Sequence, residues 1–201
     1  MVQHLLLVQI VPPLLLLGIP PELYKRLFRY RAVRATERVL GQPVLAFLIG
    51  FAGLWISHLP PLYDGALHNE YIHIGQHMIF LISATIFWWV ILAPAQYRRL
   101  SPLPAMLYLF GATVSCIVLG IILTFAKVGI YPTYLHPADP LGILPLIQDE
   151  WGLTPAVDQQ VGGVIMWIAG SLAYLVAIFG VMARWYSTEA ARDAAFFAQE
   201  A

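Results

Sequence analysis

Apolar residues run through this chain in blocks far longer than a soluble helix or strand needs to bury one face. Two blocks, 103–126 and 161–183, carry no charged residue, and each is long enough to cross the ~30 Å hydrocarbon core of a bilayer as a helix of about 20 residues. A third is uninterrupted over 78–92. It reaches spanning length only by borrowing turns upstream to 73, which sets His73 and His77 inside the membrane boundary. Another block covers 39–58 through LAFLIGFAGLWIS, and the first covers 2–18, interrupted by Pro12 and Pro13. Proline kinks a membrane helix without forbidding it. The first block has the position of a signal peptide but neither its positive n-region nor its small-residue cleavage site, and it holds His4 and Gln9. The pattern therefore predicts an all-α polytopic membrane bundle over 1–186, with about five transmembrane helices (2–18, 39–58, 73–92, 103–126 and 161–183), followed by a short cytoplasmic tail, 187–201.

The polar residues between the blocks set the expected orientation. Lys25, Arg26, Arg29, Arg31, Arg34 and Arg38 follow the first block, Arg98 and Arg99 the third, and Arg184 and Arg192 the fifth; Lys127 alone falls on the other face. The positive-inside rule then places the N-terminus outside and the C-terminus in the cytoplasm. The stretch 22–40 reads as a basic, amphipathic helix on the inner surface, in contact with anionic lipid. Composition agrees: of 201 residues, 60% are hydrophobic and only 11% charged, against about 25% charged in soluble domains. The bilayer is the solvent, and no separate soluble domain fits. Eleven basic residues balance eleven acidic ones, so there is no footprint for nucleic acid, and no Gly-rich phosphate loop is present. Cys116, the single cysteine, lies inside an apolar block, which excludes a disulfide framework and a paired-thiolate metal site.

Histidine placement is the informative polar signal. His4, His58, His68, His73, His77 and His136 all sort to the outer half of the predicted topology, and ionisable groups at membrane depth usually carry a function. His73 and His77 are four residues apart, so on a helix both imidazoles project from one face and can share a metal ion. Two interfacial histidines bonded to backbone or water would give the same spacing. His4 enters from the same side at similar depth, and so does Asp158, which opens the fifth span in DQQVGGVIMW. Asp158 is equally well placed to cap that helix. His58 and Asp64 in HLPPLYDGAL, Met78, Met166 and Gln159 are auxiliary candidates; thioether with imidazole suits Cu(I), although methionines in apolar helices more often fill cores. The long proline-rich loop over 129–156 suggests a cap or docking surface.

Several segments together resemble a known family: PPLLLLG at 12–18, HLPPLYDGAL at 58–67, the His73/His77 pair followed by FLISATIFWWVI, LG-x-x-LTFA at 119–126 with YPTY at 131–134, and DQQVGGVIMW at 158–167. In order and spacing over nearly the whole chain they resemble the CtaG-type multi-span membrane family of assembly factors for caa-type cytochrome c oxidases. The resemblance implies a copper-handling, non-enzymatic assembly protein of the bacterial plasma membrane, working toward the dinuclear copper centre of oxidase subunit II on the outer side. It also implies that His4, His58, Asp64, His73, His77 and Asp158, with Gln159 and Gln160, are the family's polar positions. At the N-terminus the chain departs from the pattern, since members carry additional sequence there, including a histidine just before the position of Met1.

The expected mechanism is reversible Cu(I) binding by His73, His77 and His4 with Asp158 or a nearby methionine, and transfer by ligand exchange. Protons compete for imidazoles, so loading is expected to weaken as pH falls through about 6.5. Two other classes stand beside it: a b-type haem electron-transfer protein with axial histidines, and a metal-free structural partner of the oxidase.

Overall fold

The structure, a computed structural model, describes residues 1–95, 98–137 and 139–200 of the chain. Among them the regular structure is helical throughout, and three helices are long and apolar enough to cross a membrane, or five spans if each of two bent helix pairs counts as one. We label them in order: α1 Val2–Leu17, α2 Pro21–Leu27, α3 Arg31–Leu40, α4 Pro43–Ser57, α5 Pro60–His68, α6 Glu70–Leu92, α7 Pro102–Phe125 and α8 Pro155–Glu200. Prolines punctuate this order. Five of these helices, α2, α4, α5, α7 and α8, begin on a proline, namely Pro21, Pro43, Pro60, Pro102 and Pro155, because proline suits the first helical turn, where its missing N–H has no partner to lose.

The same chemistry shapes α1, which widens into a π-turn over Leu6–Ile10 before resuming at Val11. Pro12 has no N–H to give the carbonyl of Val8 four residues back. The indole Nε1 of Trp88 on α6 donates to that carbonyl instead, at 3.0 Å. This bond clamps α1 to α6 at the kink.

Each short apolar helix is bent sharply against an amphipathic neighbour: α1 against α2 by 92°, and α3 against α4 by 76°. The stretch expected as one basic helix over 22–40 is thus two helices, broken at Phe28 to Tyr30. Glu37 fixes α3 to the bundle by pairing with Arg98 (3.2 Å) and accepting from Trp89 Nε1 (3.4 Å). At the far end of the chain, α8 starts six residues before the expected span and runs unbroken through the described part of the expected tail.

The helices pack as a bundle whose outward faces are apolar, with Leu14, Leu17, Val44, Leu107, Phe110 and Val176 all exposed. That inversion is what a lipid solvent rewards. Its interior is aromatic, built on Phe80, Phe87, Trp88, Tyr108 and Tyr174. Tyr108 there donates its hydroxyl to Phe87 O at 3.0 Å.

A close helix approach joins α7 to α8. A Cβ on Gly120 would stand 2.6 Å from Cβ of Trp167, and one on Gly163 would collide with the Thr124 hydroxyl and reach 2.6 Å from its backbone N. Small residues let membrane helices meet backbone to backbone. Gly163→Val should therefore lower the thermal stability of the detergent-solubilised protein by about 1–3 kcal/mol, while Gly180→Ala, where an added Cβ meets nothing within 4 Å, should leave it unchanged.

A buried histidine cluster as the candidate metal centre

Four histidines gather at one end of the bundle. His4 comes from the first turn of α1, His58 caps the C-terminus of α4, and His73 and His77 lie one turn apart at the start of α6. Asn69 sets that start by accepting from the backbone N–H groups of Tyr71 (2.9 Å) and Ile72 (3.3 Å). Ring centroids are 5.4 Å apart for His4 and His77, 6.2 Å for His4 and His58, and 4.2 Å for His73 and His77. Phe80 closes the floor, 4.7 Å from His4 and 5.6 Å from His58.

His58 is the most deeply set, 4% exposed. Its Nδ1 lies 2.7 Å from the carbonyl oxygen of Leu54, and only a protonated Nδ1 can donate there. A neutral ring then carries its lone pair on Nε2, which is buried and has no partner. This is the arrangement of a ligating histidine whose second nitrogen is held by a backbone carbonyl. Its backbone is held as well, since Tyr131 Oη donates to His58 O at 2.8 Å. His4 Nδ1 and His77 Nε2 are likewise buried without partners, whereas His73 is exposed at the surface of α6.

A metal–nitrogen bond of about 2.0 Å puts two imidazoles on one ion with centroids roughly 5–6 Å apart. The His4 to His77 spacing falls in that range, and His4 to His58 lies just beyond it. Among the described residues, however, no three His, Cys, Asp or Glu side chains are already disposed around a common ion. Met166, 1% exposed, lines the same small cavity as His4 and His58, together with Cys116.

The other residues singled out in the sequence stand elsewhere. Asp158 is exposed in the first turn of α8, lining a separate cavity. Thr154 takes the capping position ahead of it, with its carbonyl accepting from Asp158 N at 2.9 Å. Gln159 ties off α7: its Nε2 donates to Leu123 O (3.3 Å) and Ala126 O (3.0 Å), and its Oε1 accepts from Gly129 N (3.2 Å). Met78 follows His77 in sequence but is 46% exposed on the outside of α6. Asp64 anchors the 129–154 segment, accepting from Thr133 N at 3.0 Å. His58 was the least conspicuous of the central residues in sequence, because the prolines after it signal only a helix end. Its position one turn beyond Leu54, at the close of an apolar helix, was the available clue.

The fold and this cluster define a polytopic helical membrane protein with unpartnered imidazoles gathered at one end. The chain matches the family described as cytochrome c oxidase caa3 assembly factor (Caa3_CtaG) over residues 1–188 and belongs to it. It is also 26% identical over 202 residues to an uncharacterized protein of Mycobacterium leprae, and 26% identical over 201 residues to one of Mycobacterium bovis. Each alignment takes in 92% of this chain and 29% of the relative, so the chain spans under a third of the length of these relatives. No solved structure matches it.

The Thr133 hydroxyl and backbone N–H hold the Asp64 carboxyl below the usual carboxylate range. A depressed folded-state pKa stabilises the folded form above the unfolded value of about 3.9 and loses that contribution as pH falls through the folded value. Hydrogen-exchange protection at Thr133, taken relative to the intrinsic rate at each pH, should therefore be high at neutral pH and fall on acidification below about 4; Asp64→Ala should lower it at both.

Proposed function

We propose that this chain handles copper for cytochrome c oxidase assembly, taking up Cu(I) among His4, His58 and His77 and releasing it through exposed His73. The carrying observation is the three buried imidazole nitrogens without partners, contributed by α1, α4 and α6. A buried polar atom left unpaired costs about 1–3 kcal/mol, and a ligand to a soft cation must keep its lone pair free. The cavity that His4 and His58 share is about 10 Å³, a space for a bare ion after modest side-chain rotation and far too small for a haem. Met166 supplies a thioether at its edge.

Membership of the oxidase assembly family supports an oxidase as the partner, and we assign subunit II, whose copper centre needs filling, as the acceptor. The arginine-rich end, with Arg31, Arg34 and Arg38, faces the cytoplasm in this reading, so the histidine cluster opens on the outer side of the bacterial plasma membrane. No bond-making catalysis is involved, because ligand exchange with a docked apo-subunit moves the ion.

Cu(I) titration of the purified protein in detergent, against a competing chelator, tests this. Wild type should bind copper stoichiometrically and show no haem band. His58→Ala and His77→Ala should each weaken binding by more than the roughly 10–100-fold that losing an outer-shell partner costs. His136→Ala, in the exposed loop, should match wild type. Equal copper content in all four proteins, or none in any, would refute the assignment.

A further inference from the structure

A second cavity lies beside the cluster, about 200 Å³ in volume and lined by Tyr63, Tyr131, Tyr134, Asp158 and Gln159, with Gly163 among its walls. Asp158 and Tyr134 are exposed at its edge, and Asp158 is the only charged side chain among its lining residues. The Gln159 amide is already committed to the end of α7. Tyr63 separates this chamber from the histidines. It is 6% exposed, stacks on Tyr131 with centroids 4.2 Å apart, and on its other side lies 5.8 Å from the His4 ring and 5.9 Å from the His58 ring. Met1 touches both the chamber and the small cavity that holds His4 and His58. The two spaces therefore meet at Met1, and the Tyr63 ring in the chamber wall lies against the His4 and His58 rings.

We propose that the chamber is the entry path of the cation, with Asp158 drawing it in and the Tyr63 ring acting as the partition that must swing aside before the ion reaches His4 and His58. This rests on the copper reading above, and it gives Asp158 a role in steering rather than ligation. An exposed carboxylate at the mouth of a cavity attracts cations and raises their rate of arrival. An aromatic ring standing between the chamber and the His4 and His58 rings limits passage in both directions, so its removal changes rates without changing which groups bind.

Stopped-flow Cu(I) uptake from a weak complex, and release to a strong chelator, tests this on the full chain in detergent. Asp158→Asn should slow uptake by about threefold to tenfold at low salt, leave release unchanged, and converge on wild type at high ionic strength. Tyr63→Ala should speed uptake and release by similar factors, leaving the equilibrium constant near wild type, and Tyr63→Trp, which keeps the wall if the alanine variant fails to fold, should slow both. Copper bound at wild-type rates by all three variants overturns the proposal and leaves the copper reading standing. Uptake slowed by His73→Ala instead, with the Asp158 and Tyr63 variants normal, places entry on α6 and also overturns it. Absence of copper binding in wild type removes both readings.

Discussion

In hydrocarbon there is no water to satisfy a polar group, so each one inside this bundle must find a protein partner or stand unpaired at a cost. Most of the interior obeys. The carbonyl freed by Pro12 takes Trp88, the end of α7 takes Gln159, the end of α4 takes Gln76 on Ser57 O at 2.7 Å, and Trp55 reaches Ser115 at 3.0 Å. Among the described residues, Glu37 Oε2, Ser57 Oγ and Trp167 Nε1 are also buried without a partner, but the three open imidazole nitrogens stand together in one cluster of donors suited to a metal ion.

The packing exists largely to hold those rings. The Trp88 bond fixes α1 at its kink and so sets the depth of His4, while Gln76 and Tyr131 pin the backbone on either side of His58. The tight glycine contact between α7 and α8 leaves α8 to wall the cluster with Met166 on one level and to present Asp158 two turns higher. At the opposite end, Glu37 locks the amphipathic α3 against α6 through Arg98 and Trp89. Anchored backbone thus surrounds a site in which one ring nitrogen each of His4, His58 and His77 remains unpaired.

Much of this was legible in the residues. Uncharged runs located α7 and the core of α8, helix starts follow the prolines, and the sorting of histidines to one side of the predicted topology pointed to the end where the cluster lies. What pattern alone left open depends on three-dimensional partnering. Asp158 and Gln159 are neighbours with similar chemistry, yet one faces a chamber and the other caps α7, a distinction set by where the end of α7 passes. His58 looked peripheral because a helix end hides how deeply other elements cover it; Tyr63 from α5 and Tyr131 from the segment after α7 supply that cover. The breaks in the first two spans were marked by Gly18 with Pro20 and by Gly41 with Pro43, but bends of 92° and 76° follow from what α2 and α3 dock against.

The central claim is that the unpaired imidazoles are kept free for a metal ion. X-ray absorption on the Cu(I)-loaded protein reads this directly. The account predicts a first shell of imidazole nitrogens at about 2.0 Å, with the outer-shell scattering of histidine rings, diminished in His58→Ala. Copper seen only with sulfur or solvent oxygen neighbours, and unchanged by that substitution, would contradict it.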